Sequence, residues 1–283
     1  MSPSSDTDRS GDPLWGLLVG CYVGLLGTPP VLFAVARLVT GDAAVLYGSA
    51  VASGTALTGL GWWVSARWGG LAVRLGATPS RWLAGVVPLL YALGGFASLS
   101  ATGAIGVVTF FGGLGAMALG FVLGVMARTR HADAVLDGVE TACEFRAGWP
   151  AAARRRAGFV VVAAVVLGSA SFLAGVLSER FVLRSAGQLL LPLGIAAYTA
   201  TETREYTVSS AGLEQRLPVA RRLWSWDAFD GYSRTDEAIL LHRPWRVDHR
   251  FALADLGDPD AVETASGSSR SASANRWSTR QGR

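Results

Sequence analysis

Lysine is missing from this chain: all 25 of its basic residues are arginine. The formal charge of +4 is therefore fixed at every physiological pH. Charge of either sign is scarce, 16% of residues against about 25% in a soluble protein. That deficit excludes an ordinary water-soluble domain for most of the length. Only two cysteines occur, Cys21 in an apolar run and Cys143 in a polar loop, so no disulfide framework is expected. None of the three histidines, and no carboxylate, falls in the middle of an apolar run. A proton-coupled pump would carry such groups at bilayer depth. The soluble part carries no excess of positive charge either: Glu202 to Glu263 holds 12 acidic residues against 8 arginines, which argues against a nucleic-acid partner. An acidic soluble part in a lysine-free chain points to a salt-adapted, GC-rich source. No stretch carries a catalytic or ligand signature, so neither an enzyme nor a cofactor is expected.

What is present is a series of six apolar runs in the first 200 residues, long enough to cross a hydrocarbon core of about 30 Å as helices. Residues 1–13 are polar and acidic rather than basic and are expected to be disordered, and with the apolar run that follows being too long for a signal core this argues against a cleavable signal. The first run is Leu14 to Val39. Thr28-Pro29-Pro30 interrupts it, and two prolines remove two backbone donors, which predicts a kink or a break. Ala43 to Ala66 follows, with Gly41-Asp42 as its cap and Trp62, Trp63, Arg67 and Trp68 as an interfacial belt. Trp82 to Ser98 and Ala104 to Ala127 are joined by a short uncharged link, and Gly158 to Leu177 and Phe181 to Ala200 form a second tight hairpin.

Between these hairpins lies the longest polar loop, 128–157. In it Val135, Leu136, Val139 and Cys143 share one helical face and Asp133, Asp137, Glu140 and Glu144 another. This predicts either a helix along the membrane surface or a solvated helix packed on the spans. The arginine-rich loops alternate with arginine-poor ones, and the positive-inside rule then places both termini in the cytoplasm of a multi-pass cell-membrane protein.

Ionisable groups inside the runs are few. Arg37 and Arg184 lie near span ends, where they can snorkel to the surface. Gln188 is deeper and is expected to bond a neighbouring helix. Together with the proline break at Pro29 and Pro30 it keeps a small-solute transporter or channel as the alternative reading. Small residues recur at every fourth position: Gly16, Gly20 and Gly24 in the first run, Gly112, Ala116, Gly120 and Gly124 in the fourth. These are read as helix-packing faces, with contact between copies of the chain as their second use.

After Ala200 the apolar period shortens toward two. Tyr206 to Ser209 and Leu213 to Val219 read as strands, as do Gly231 to Arg234 and Ala238 to His242 across Thr235-Asp236-Glu237, and Trp245 to Phe251 is another extended piece. Asp258-Pro259 starts a helix reaching about Ala265, and a basic tail of 266–283 is expected to be disordered. His242, Asp248 and His249 are close in sequence, too few for a metal site on their own. The segments Arg204-Glu205-Tyr206-Thr207-Val208, Gly212-Leu213, Trp226-Asp227-Ala228-Phe229-Asp230-Gly231-Tyr232 and Ala238-Ile239-Leu240-Leu241 carry a resemblance. Over about 181–263 the chain resembles uncharacterised haloarchaeal multi-pass membrane proteins with a C-terminal pleckstrin-homology-like module. The resemblance implies a small curved β-structure closed by a helix, with no enzymatic activity. The expected architecture is thus an all-α bundle of six spans over 14–200, carrying the loop 128–157, followed by a small α+β, pleckstrin-homology-like cytoplasmic module over 201–265. Expected partners are the lipid bilayer and a cytoplasmic protein bound through 201–265.

Overall fold

Asp12 opens the first helix: its carboxylate accepts the N–H groups of Leu14 and Trp15, and Pro13 takes the first helical position, where no donor is needed. In the computed structural model, which describes residues 12–200, 202–244, 248–260, 262–264 and 267, helix α1 runs from Pro13 to Leu38 without interruption. The break expected at Pro29-Pro30 is absent, and a residue distant in the chain supplies the reason. Pro30 leaves the carbonyl of Leu26 without its intrahelical donor, and the Tyr91 hydroxyl donates to that oxygen at 3.0 Å. The carbonyl of Leu25, freed by Pro29, lies 3.1 Å from where a Cβ would stand on Gly112.

Asp42 caps α2 (Ala43–Arg67) through the N–H groups of Ala44 and Val45. At its far end the Arg67 guanidinium lies over the Trp63 ring, 4.1 Å from the centroid. The sequence reads 67–81 as a linker, but it forms α3 (Leu71–Ala77) and a 3-10 turn (Pro79–Trp82) ahead of α4 (Leu83–Ala97). Then come α5 (Leu99–Thr102) and α6 (Ala104–Leu136). Helix α6 is the spine of this first unit, 1–137: α1, α3 and α4 pack on it, and α2 packs on α1.

The second unit, 138–283, begins with Gly138 in the left-handed region, φ 69°. Here the structure corrects the sequence reading. The surface helix expected to carry on through Cys143 stops at Leu136, and Thr141–Ala147 is a strand, β1. It is followed by α7 (Ala151–Leu177) and α8 (Phe181–Ala200), then β2 (Arg204–Ser209), β3 (Gly212–Leu217) and β4 (Ala220–Trp224). Beyond the turn Trp226–Ala228 lie β5 (Gly231–Arg234), β6 (Ala238–His242) and β7 (His249–Ala252). Helices α7 and α8, read from the sequence as the end of one membrane domain over 14–200, therefore fall in the unit that holds the strands.

All neighbouring strands are antiparallel, in one sheet of order β1-β2-β3-β4 and another of order β5-β6-β7. Between the sheets lies a single core of Phe145, Tyr206, Val208, Leu213, Trp224, Trp226, Ile239, Phe251 and their neighbours. Phe145 belongs to β1, so the strand ahead of the helices is as much part of this core as those behind them. Its ring stacks on Tyr206 at 5.6 Å and meets Phe251 edge-on at 5.3 Å. Asp258 accepts the N–H of Asp260 at the start of the closing helical residues 259–260 and 262–264, and Val262 reaches the core. The expectations for residues 1–11, for 245–247 and for the tail from 268 lie outside the described residues.

Helices α1, α2, α6 and α7 are each long and apolar enough to cross a membrane, while α4 has 15 residues and the apolar stretch Phe181–Ala196 of α8 is shorter. The chain has the helices of a membrane protein, together with a C-terminal antiparallel sheet region.

Candidate functional site

The place where helices and sheet meet in the second unit is built from the backbone outward. Strand β1 ends at Ala147, which pairs with Arg204, the first residue of β2. The whole α7–α8 hairpin thus occupies the position of a turn between two adjacent strands. Gly148 holds the exit. Its N–H donates to Asp255 Oδ2 at 2.9 Å and its carbonyl accepts the N–H of Ala252 at 3.2 Å. A Cβ on Gly148 would stand 3.2 Å from both Asp255 Oδ2 and Thr203 Oγ1, so the approach is close enough to favour glycine. The Arg154 guanidinium lies 3.7 Å from the same Asp255 oxygen and donates to the Trp149 carbonyl at 3.1 Å. On the return side Arg204 donates to the Thr199 carbonyl at 2.8 Å. The first end of the hairpin is therefore hydrogen-bonded to β7 and Asp255, and its return end to β2.

Two grooves lie beside this junction. One, of about 430 Å3, runs between the first turns of α7 and the three-stranded sheet, with Trp149, Arg156, Val160, Leu240 and Arg250 among its walls. The other, of about 440 Å3, lies on the four-stranded sheet beside Glu144, Arg146, Glu205 and Arg216. Its charges are already matched: Arg146 pairs with Glu205, and Arg216 lies 3.4 Å from Glu144 and 3.5 Å from the buried Glu214. With Arg221 of β4, 3.5 Å from Glu214, that face carries a neutral ion-pair lattice across four strands.

The histidines separate. His242 Nε2 lies 2.8 Å from Ser233 Oγ, its Nδ1 lies 3.2 Å from Asp248 Oδ2, and the other Asp248 oxygen accepts the N–H of Arg243. Those bonds hold the Asp248 carboxyl below the ordinary carboxylate range, the backbone N–H contributing most. A serine, histidine and carboxylate in series have the order of a general-base relay. Ser233, however, sits in the β5–β6 ladder opposite Leu240 and not on an exposed turn, and neither groove takes it in. The arrangement fastens an edge strand. His249 turns the other way, among Trp224, Phe229 and Phe251, and burial with the charges of Arg243 and Arg222 pushes it down to about 4. Among the described residues no three metal-ligating side chains converge.

The residues singled out in the apolar runs are placed as follows. Gly20 meets Gly61 and the Thr58 carbonyl of α2, Gly16 meets Trp62, and Gly24 meets Thr58. Gly112 faces Leu25 of α1, Gly120 lies against the Ala84 carbonyl of α4, and Gly124 lies near Arg81 and Trp82. Ala116 is fully buried. Pro29 is buried and Pro30 exposed. Gln188 is exposed on α8, while its neighbour Gly187 packs on Gly168 and Phe172 of α7. Pro29 and Pro30 belong to the first unit and Gln188 to the second. The junction residues Gly148, Asp255 and Arg250 were not singled out by sequence reasoning. The period-two run Cys143, Phe145, Ala147 was the signal that could have found β1. The chain matches no family model, no curated protein and no solved structure.

Proposed function

We propose that this chain is a non-enzymatic membrane protein of six spans, α1, α2, α4, α6, α7 and α8, that presents a pleckstrin-homology-like module to the cytoplasm for binding a protein partner. The observation that carries this reading is the pairing of Ala147 with Arg204. A hairpin that leaves one strand and returns to the next fixes the sheets to the bilayer surface at two points, which an interaction module on a flexible linker would lack. Four strands and three, antiparallel, with a helical turn closing the core, support the pleckstrin-homology-like reading. The lysine-free, acidic strand region supports the likeness to haloarchaeal membrane proteins.

Span counting follows from length. Helix α8, with 20 residues, rises about 30 Å, and α4 gains the turn Pro79–Trp82 before it and α5 after it. Arg128, Arg130 and Arg154 to Arg156 all flank the segment holding β1, which favours the cytoplasm for the strands. Among the described residues of 201–265, two large apolar side chains are left in water, Val219, 88% exposed, and Tyr232 on the edge strand β5.

A photo-crosslinking amino acid at Val219 or Tyr232, in native membranes, tests the reading. The expected result is a discrete protein adduct from these sites and none from Leu177 at the far end of the hairpin. No adduct from either site, together with solute flux through vesicles reconstituted with the protein, would overturn it in favour of transport.

A further inference from the structure

The groove beside α7 has a division of chemistry that the ion-pair lattice on the other sheet lacks. Two guanidiniums line it, Arg156 from α7 and Arg250 from β7, against one carboxylate, Glu237. Neither arginine has a carboxylate of a described residue within 4 Å, Arg250 acting only at longer range on Asp248, which His242 and the Arg243 N–H already hold, whereas Arg146, Arg154, Arg216 and Arg234 of the same unit all have close acidic partners. The net charge of the lining is thus +1, the complement of a single phosphodiester. The other walls are apolar. Val160 follows Arg156 by one turn of α7, about 6 Å along its axis, Leu240 pairs directly across from Arg250, and Trp149 is exposed beside them. Arg156, Val160 and Leu167, spaced by four and then seven residues, share one face of α7, and both apolar members of it are exposed. Helix α7 is one of the four helices fit to cross a membrane. A groove with unpaired cations at the head of such a face, and an apolar stripe leading away from it, matches an amphiphile.

We infer that this groove seats one anionic phospholipid, its phosphate between Arg156 and Arg250 and an acyl chain along Val160 and Leu167. A free phosphate would satisfy the guanidiniums but leave Val160 and Leu240 in water, and a zwitterionic lipid would bring its own ammonium against the two arginines. The site rests on the reading of α7 as a span with the sheets at the membrane surface. Its consequence is that the module senses the lipid next to its own hairpin.

The test uses the full chain in nanodiscs of phosphatidylcholine doped with phosphatidylglycerol, with the retained lipid counted by native mass spectrometry. Phosphatidylglycerol is expected to be enriched on the protein. Arg156→Gln and Arg250→Gln should each lower the enrichment about fivefold and together about 30-fold, while Arg180→Gln in the α7–α8 turn leaves it unchanged. Val160→Trp keeps both charges and fills the apolar wall, and it should lower retention as well. Glycerol phosphate at millimolar concentration should not displace the lipid. Enrichment that persists in the double variant, or full displacement by glycerol phosphate, would overturn the site. Failure of the chain to enter nanodiscs at all would instead overturn the span reading on which the site depends.

Discussion

In 13–136 the helices meet where side chains are missing, whereas the two-sheet body is filled with the largest side chains in the chain. Gly120 sits so close to the Ala84 carbonyl that a Cβ would lie 1.9 Å from it, and Gly76 is in the same relation to the Ala127 carbonyl at 2.0 Å. Against this, Phe145, Tyr206, Trp224, Trp226 and Phe251 make one aromatic core. The solvent explains the contrast. Lipid gives apolar side chains no reason to leave it, so helices gain by close van der Waals approach of backbones. Water drives burial, and an aromatic ring that removes about 150–250 Å2 from it is worth roughly 4–6 kcal/mol at about 25 cal/mol per Å2. Helices α7 and α8 follow the first rule although they share a unit with the sheets: Gly175 lies against the backbone of Arg184, and Gly187 against that of Gly168 and Phe172.

The comparison breaks most visibly if the sheet body is made without its first strand. A fragment beginning at residue 202 lacks Phe145 and Ala147 and is expected to stay unfolded by circular dichroism and hydrogen exchange. Replacing 148–203 by an Asn-Gly turn, in a fragment starting at 139, should instead give a folded soluble body, because Ala147 and Arg204 are directly paired, the register that a two-residue turn closes. Next in size is an effect of pH on the aromatic core. His249 is held neutral, at about 4 against an ordinary 6.5, so below 6.5 the unfolded chain binds a proton that the folded one refuses. Stability is then full above pH 6.5 and falls as pH drops toward 4, by about 2–3 kcal/mol. Thermal unfolding at pH 7 and pH 5 should show the drop, and His249→Phe should remove it.

The helix seams give smaller effects. Gly120→Ala is expected to cost about 1–3 kcal/mol by forcing α4 and α6 apart, read as lower thermal stability in detergent, while Ala at Gly94, which faces open space, should cost nothing. Smallest is Tyr91→Phe, about 1 kcal/mol for the lost bond to Leu26. With Pro30→Ala in place the backbone supplies that donor itself, so the tyrosine change should then be silent.

Much of the architecture could be read from residue order because its causes are local. Asp42 caps a helix through its own neighbours, Asp258-Pro259 starts another, and Gly231 to His242 folds back on itself across three residues. The longer helices announced themselves by composition. What could not be read depends on distant partners. Thr141 to Ala147 alternates as a strand should, yet its apolar residues also fit a helical face, and the strand that decides between the two lies beyond α7 and α8. Tyr91 looked like an ordinary span residue until Leu26 stood opposite it. The charge division of the α7 groove was equally hidden, since Arg156 and Arg250 are far apart in the chain and it is the bond from Ala252 of β7 to Gly148 that ties that strand to the start of the helix.

Splitting a sheet around a helical hairpin also sets a schedule for synthesis. When β1 leaves the ribosome, its partner β2 has not been translated, and at about 5–20 residues per second the intervening stretch of roughly sixty residues takes some 3–12 s to follow. Phe145 must wait in the open during that interval, with a bare strand edge beside it. Should α7 and α8 cross the bilayer as proposed, their insertion is the event that delivers Arg204 to Ala147, and the sheet closes only on chains whose hairpin has already been placed.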